Sequence, residues 1–175
     1  MPNVCIATEP DLPAVVALVN SGYRGDSSRL GWTTEADYLG GQRTDIATLR
    51  AELSERPGAV LLLLRDGAED ELVGSVFLKP EDEDRWHLGM LTVRPDLQNR
   101  QLGRTLLGEA EKFGVARGAR WMRLSVINIR DTLIAWYERR GYCRTGEEVP
   151  FPYGDERFGQ ALRDDLRFVV MEKAL

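Results

Sequence analysis

The sequence predicts an α/β chain in which a mixed sheet carries helices on its faces. Three observations predict it. Apolar residues at helical spacing alternate with short apolar runs of strand length, three such runs follow one another across short turns, and the order then becomes strand–helix–strand. A length of 175 residues, 43% hydrophobic and 29% charged, suits one domain spanning residues 1–175.

Val4–Thr8 reads as a short strand. Asp11 can cap a helix whose apolar positions are Leu12, Val15, Val16 and Val19, with Pro13 in its first turn, where a missing N–H does no harm. From Ser21 to Thr33 Gly, Ser and Arg interrupt any period, which predicts a loop, and Thr34 with Asp37 resembles a capping box. Ile46, Leu49 and Leu53 mark a second helix that ends before Pro57-Gly58. Ala59–Arg65, Leu72–Leu78 and Arg85–Val93 then read as strands separated by Asp66-Gly67 and by the turn at Pro80–Asp84. Leu102, Leu106, Leu107, Ala110 and Phe113 define an amphipathic helix stopped by Gly118. Trp121–Val126 is a strand, Asp131–Arg140 a helix closed by Gly141, and Tyr142–Thr145 opens another strand. Residues 147–165 read as a long loop, and Leu166–Lys173 as the last strand.

Composition excludes several classes. No apolar run approaches the roughly 20 residues needed to span a bilayer. MPNVCIATEP lacks the basic and apolar regions of a secretory signal, so a cytoplasmic location without membrane partners is expected. Cys5 and Cys143 cannot make a disulfide framework, and with His87 alone no metal site is expected. Buried, reduced thiols are the simplest reading.

A net charge of −5 argues against nucleic acid as a partner. Its distribution is uneven: residues 94–144 hold 11 Lys and Arg against 5 Asp and Glu, whereas residues 1–93 hold 8 against 16. A basic segment inside an acidic chain suggests an anionic ligand there and a cationic one elsewhere.

The informative unit is a strand, His87–Val93, a tight turn, Arg94-Pro95-Asp96-Leu97, and a helix opened by Gln98-Asn99-Arg100-Gln101-Leu102-Gly103. A turn leading into a helix aims unpaired N–H groups at one spot, where the helix dipole also favours negative charge. Arg100 and Arg104 add charge, so a phosphate is a natural ligand. Val93-x-Pro95-x-x-Gln98-x-x-Gln101-x-Gly103 is similar to the V-x-P-x-x-[RQ]-x-x-G-x-[GA] signature of the GNAT acetyltransferase superfamily, and Trp136-Tyr137-Glu138-Arg139-Arg140-Gly141-Tyr142 to its Y-E-x-x-G-[FY] segment.

The resemblance implies a mostly antiparallel sheet of about seven strands, helices on both faces, and a splay between the two central strands that holds acetyl-CoA. It places the pyrophosphate on the N–H groups of Gln98, Asn99, Arg100, Gln101, Leu102, Gly103 and Arg104, and the pantetheine along Leu91, Thr92 and Val93, with Leu133 and Tyr137 beside it. Tyr137 matches the tyrosine that protonates the departing thiolate, and direct attack by an amine is the implied mechanism. Two positions depart from the pattern: Gln101 replaces the first glycine, and Arg130 stands where asparagine is usual, with Asn128 two residues earlier.

Acceptor-site candidates are Trp32 and Glu35 in segment 31–35 and Tyr153 and Asp155 in segment 152–158, loops that wall the acceptor site by resemblance, together with Asp45; Glu35, Asp45 and Asp155 are the acids that could anchor or deprotonate an amine. The acceptor is a small-molecule or peptide amine, expected to be cationic from the acidic flanks, and a homodimer is common in the family. His87 is a further candidate base, and Glu81–Asp84 reads as a solvated turn. The competing reading is a CoA-binding regulatory module without turnover; the presence of Tyr137 argues against it.

Overall fold

A computed structural model describes residues 1–175. Seven strands form one sheet: β1 (Asn3–Ile6), β3 (Val60–Asp66), β4 (Glu71–Pro80), β5 (Arg85–Val93), β6 (Trp121–Ile127), β9 (Arg167–Ala174) and β7 (Cys143–Pro150), in that spatial order. Every neighbouring pair is antiparallel except β5 and β6. The strand run Val60–Leu64 is apolar without alternation because both faces are covered. Leu61 and Leu63 pack against α1 (Leu12–Tyr23) and α2 (Ile46–Glu55), while Leu62 and Leu64 pack in a cluster with Leu102, Leu106 and Ala110 of α3 (Leu102–Val115) and Ile134 and Tyr137 of α4 (Asp131–Glu138).

The parallel pair holds the fold's functional feature. β5 and β6 are in register only from Arg85–Trp121 to His87–Arg123 and then part, leaving Leu88–Val93 without a strand partner on that side. On its other side β5 carries an extra residue against β4 between the pairs Ser75–Thr92 and Phe77–Gly89, and Met90 takes the left-handed conformation, φ 50°. Such a bulge bends a strand, here at the point where the two strands separate.

Four local expectations are corrected. Helix α1 runs through to Tyr23, and a 3-10 turn follows at Asp26–Leu30, so Ser21–Thr33 is not all loop. Thr34 caps no helix; it bonds Ser28 and the Ala36 N–H, and α2 begins after Asp45 instead. Within 147–165, β7 runs to Pro150 and β8 (Gln160–Ala161) pairs with β2 (Leu39–Gly40) in a second, two-stranded sheet. Cys143 is exposed, because it lies on the edge strand β7 rather than in the core.

Candidate active site

Two clefts open from the splay and share a wall. The outer one, about 450 Å³, lies between β5, the turn before α3, and α4. The inner one, about 260 Å³, runs between the separated stretches of β5 and β6. Tyr23, Leu91, Arg130, Leu133 and Tyr137 line both.

The outer cleft is built for an anion. Arg104, Arg130, Arg139 and Arg140 line it, and no carboxylate does. At its floor the first backbone bond back into α3 runs from the Thr105 N–H to the Gln101 carbonyl, 3.0 Å, so the N–H groups of Leu102, Gly103 and Arg104 have no intrahelical acceptor. Gln101, the cap of α3, sits at φ 63°, ψ 8°. This left-handed geometry suits glycine, and it explains why a glycine pattern holds here with one side chain out of place. The Gln101 side chain is exposed, directed away from the core.

Gln98 acts through its side chain. Its Oε1 accepts from the Trp32 N–H at 2.9 Å, tying the 31–33 loop to the turn. Gly31 makes this approach possible: a Cβ there would stand 2.1 Å from Gln98 Oε1. Trp32 in turn faces Trp136, ring centroids 6.4 Å apart, and Arg140 lies 3.7 Å over the Trp136 ring. Gly22 similarly lets α1 reach β5, where a Cβ would meet Thr92 Cγ2 at 2.5 Å.

Tyr137 is buried in the shared wall with its ring edge-on to Trp136 and Tyr142. Burial raises its pKa, so the hydroxyl stays protonated at neutral pH. Tyr23, at the end of α1, donates to the Leu91 carbonyl at 3.3 Å.

Most of the residues singled out in sequence therefore meet at one place: Leu91, Thr92, Val93, Gln98, Asn99, Gln101, Gly103, Arg104, Leu133, Tyr137 and Trp32 line the outer cleft. Arg100 and Leu102 do not line it; Leu102 turns its side chain into the core, leaving only its N–H.

The acceptor candidates separate. Glu35 lines the inner cleft, but both of its oxygens are engaged, Oε1 by Arg24 at 3.0 Å and Oε2 by Arg130 at 2.9 Å. Asp45 is the N-cap of α2, accepting from the Thr48 N–H at 2.7 Å. Asp155 is clasped by Arg157, and the Tyr153 hydroxyl accepts from the Leu166 N–H at 2.9 Å; neither residue lines either cleft. Asn128 binds Arg167 and Asp165 across the sheet and also lies apart from both.

The charge of the inner cleft is the reverse of the acidic one expected. Arg24, Arg43 and Arg130 line it against Glu35 alone. The acids of the flanking segments are spent in pairs elsewhere, among them Glu9 with Arg50, Asp11 with Arg65, and Asp165 with Arg163. Tyr23 and Arg43 gave no signal in sequence, whereas Arg130 was visible as a departure from the motif and Arg139 as part of the basic segment. His87 lines the inner cleft with Nε2 over Gly89, where a Cβ would stand 3.1 Å away, and with Nδ1 3.6 Å from Glu81. Burial, helped by Lys79, Arg123 and Arg43, pushes its pKa down to about 4.

The acetyltransferase (GNAT) family model matches residues 26–142. The chain belongs to the GNAT acetyltransferase family. Among curated proteins no sequence matches. Solved GNAT relatives share the fold. Ribosomal-protein-alanine N-acetyltransferase from Brucella melitensis is 22% identical, with 99% of each chain covered and a TM-score of 0.70. The yncA protein from Salmonella typhimurium, solved with its cofactor acetyl-CoA, is 16% identical over 100% of this chain and 94% of that one, TM-score 0.70. Nourseothricin acetyltransferase is 24% identical over 67% of this chain and 66% of its own, TM-score 0.57.

This GNAT chain is thus an acetyl-CoA-dependent acyltransferase. Its outer cleft fits the co-substrate on its own evidence, with four arginines, no carboxylate and unpaired N–H groups at a helix start. No helix is long and apolar enough to cross a membrane.

Proposed function

We propose that the chain acetylates a primary amine by direct attack, with the outer cleft holding acetyl-CoA, the inner cleft holding the amine, and Tyr137 as the general acid. One observation carries this reading: Tyr137, kept neutral by burial, stands in the wall that the two clefts share. Acetyl-CoA supplies the activated acyl carbon. Arg104, Arg139, Arg140 and the N–H groups of Leu102 to Arg104 anchor its phosphates. The edge of β5 from Leu91 to Val93, without a strand partner on that side, offers backbone groups to its arm.

In the transfer a C–N bond forms as the C–S bond breaks. Tyr137 gives its proton to sulfur, and the amine must lose one. His87 lines the inner cleft, but a pKa held down at about 4 makes it a weak base for an amine, so water in the cleft takes that proton. The acidic cleft that would favour a cationic acceptor has no support in the residues lining it.

Two measurements test the reading. A thermal scan should rise with saturating acetyl-CoA, by about 2.7 kcal/mol of stability at a hundredfold excess over Kd. A panel of amines should release free thiol in the presence of at least one member. A flat scan, or thiol release no faster than without amine, would overturn it.

A further inference from the structure

The inner cleft joins an apolar wall to unused positive charge. Leu124, Val126, Phe151 and Phe168 are among its apolar residues. Of its ionised groups, Arg24 and Glu35 are consumed by each other, Arg24 also by the Gly40 and Phe158 carbonyls and Glu35 also by Arg130. Arg43 is not. Its guanidinium lies 5.6 Å from the centroid of the Tyr23 ring, and its side chain makes no ion pair or hydrogen bond. Arg130 lies at the same 5.6 Å from that ring, and its Nε is buried without an acceptor. Glu52 feels the charge of Arg43 but makes no ion pair with it. Tyr23 therefore has two arginines against its ring, Arg43 with its donors free and Arg130 with Nη1 and Nη2 held by Glu35 and Thr33, while its hydroxyl marks Leu91 at the edge of β5.

An ammonium alone would enter this cleft against three guanidinium groups and one neutralised carboxylate. A molecule with a carboxylate close to its amine reverses that balance. It places the anion on the unpartnered guanidinium of Arg43, and the amine one carbon from that carboxylate, in the cleft that Leu91 also lines. We propose that the acceptor is a small α-amino acid with an apolar side chain, its carboxylate bound by Arg43 and its side chain held on the Phe151–Phe168 wall. This deepens the acetyl-transfer reading and rests on it. A cleft of about 260 Å³ accommodates a molecule of that size, slightly below the roughly 300 Å³ at which drug-sized ligand pockets begin.

Matched pairs test it. Phenylalanine, leucine and methionine are each compared with the corresponding amide and decarboxylated amine, alongside spermidine and a short peptide beginning with the same residue. Thiol release from acetyl-CoA gives kcat/KM, and a thermal scan with CoA present gives binding without turnover. The free amino acids should exceed their amides by tenfold or more, the scale of a charge-assisted hydrogen bond. Arg43→Gln should bring that ratio towards one, and Arg43→Glu should shift preference to the decarboxylated amines. Equal or better use of amides, peptide or spermidine would overturn the proposal. So would a preference for carboxylates that Arg43→Gln leaves intact, or no binding of any free amino acid. If amino acids bind with the predicted preference but no amine releases thiol, the acetyl-transfer reading fails and this assignment of the cleft stands.

Discussion

Glu35 Oε2 accepts a hydrogen bond from Arg130 Nη1 at 2.9 Å, across 95 residues of sequence. Both side chains are buried, as is Arg24 on the other carboxylate oxygen. This Arg–Glu–Arg bridge fastens the loop after α1 to the start of α4, so it fixes Arg130 in the wall between the clefts. Thr33 takes a second Arg130 nitrogen, with Nη2 to Oγ1 at 2.6 Å.

Removing the central acid leaves two buried cations facing each other. Glu35→Gln should destabilise the fold by about 3–5 kcal/mol, the range for breaking a buried pair from one side. Chemical denaturation measures this directly. A loss below 1 kcal/mol would show that both guanidinium groups reach water in the folded state.

Gln101 gives the opposite sign. At φ 63° it occupies the left-handed region without help from any side-chain cap. Gln101→Gly should stabilise the protein by about 1 kcal/mol, since a side chain there costs about 1–2 kcal/mol and glycine's greater chain entropy returns part of it. For a chain of this size that raises Tm by roughly 2–4 °C. Acetyl-CoA affinity should hold or improve, because the backbone donor remains. A lower Tm for the glycine variant would mean that the Gln101 side chain makes a stabilising contact that outweighs its strain.

The order of helices and strands, and the residues of the outer cleft, were legible because local signals carry them. Period 3.6 marked α1 and α3, the unbroken apolar run within Ala59–Arg65 marked β3 as a strand, and two motifs placed Tyr137 and the turn before α3. The inner cleft was not legible. Tyr23 and Arg43 sit where no periodicity speaks, and only the packing of α1 on β5 and the path of the following loop bring them to Leu91. Local charge also misled. Summed over segments, acids dominate the flanks, but ion pairs such as Glu9–Arg50 and Asp11–Arg65 consume them at the surface. Asp45 looked functional by its type and loop position; its carboxylate belongs to the start of α2.

Tyr137→Phe separates chemistry from packing. The ring contacts with Trp136 and Tyr142 survive the change, so stability and the thermal shift with acetyl-CoA should change little. Positioned acid catalysis is worth about 10²–10⁴-fold, and kcat should fall in that range. Unchanged turnover across pH would leave Tyr137 as packing alone.

His87 makes a prediction with a definite sign. In the folded chain its pKa is lowered from 6.5 to about 4 by burial and then by Lys79, Arg123 and Arg43. Glu81, 3.6 Å from Nδ1, opposes this but does not prevail. Between pH 6.5 and 4 the unfolded chain binds a proton at this histidine that the folded chain does not. Folding is therefore unopposed by His87 above pH 6.5, and stability is lost as pH falls through the window, at up to about 1.36 kcal/mol per pH unit. His87→Gln removes that dependence, so wild type should lose more stability than the variant on going from pH 7 to pH 4.5. A constant difference across the window would show that Glu81 holds the imidazole near its ordinary pKa. The same variant tests the role in transfer. With so weakly basic an imidazole, kcat in His87→Gln should change by less than about tenfold while the thermal shift with acetyl-CoA persists. A fall in kcat of about 10² or more in His87→Gln would overturn this and make His87 the group that takes the proton of the amine.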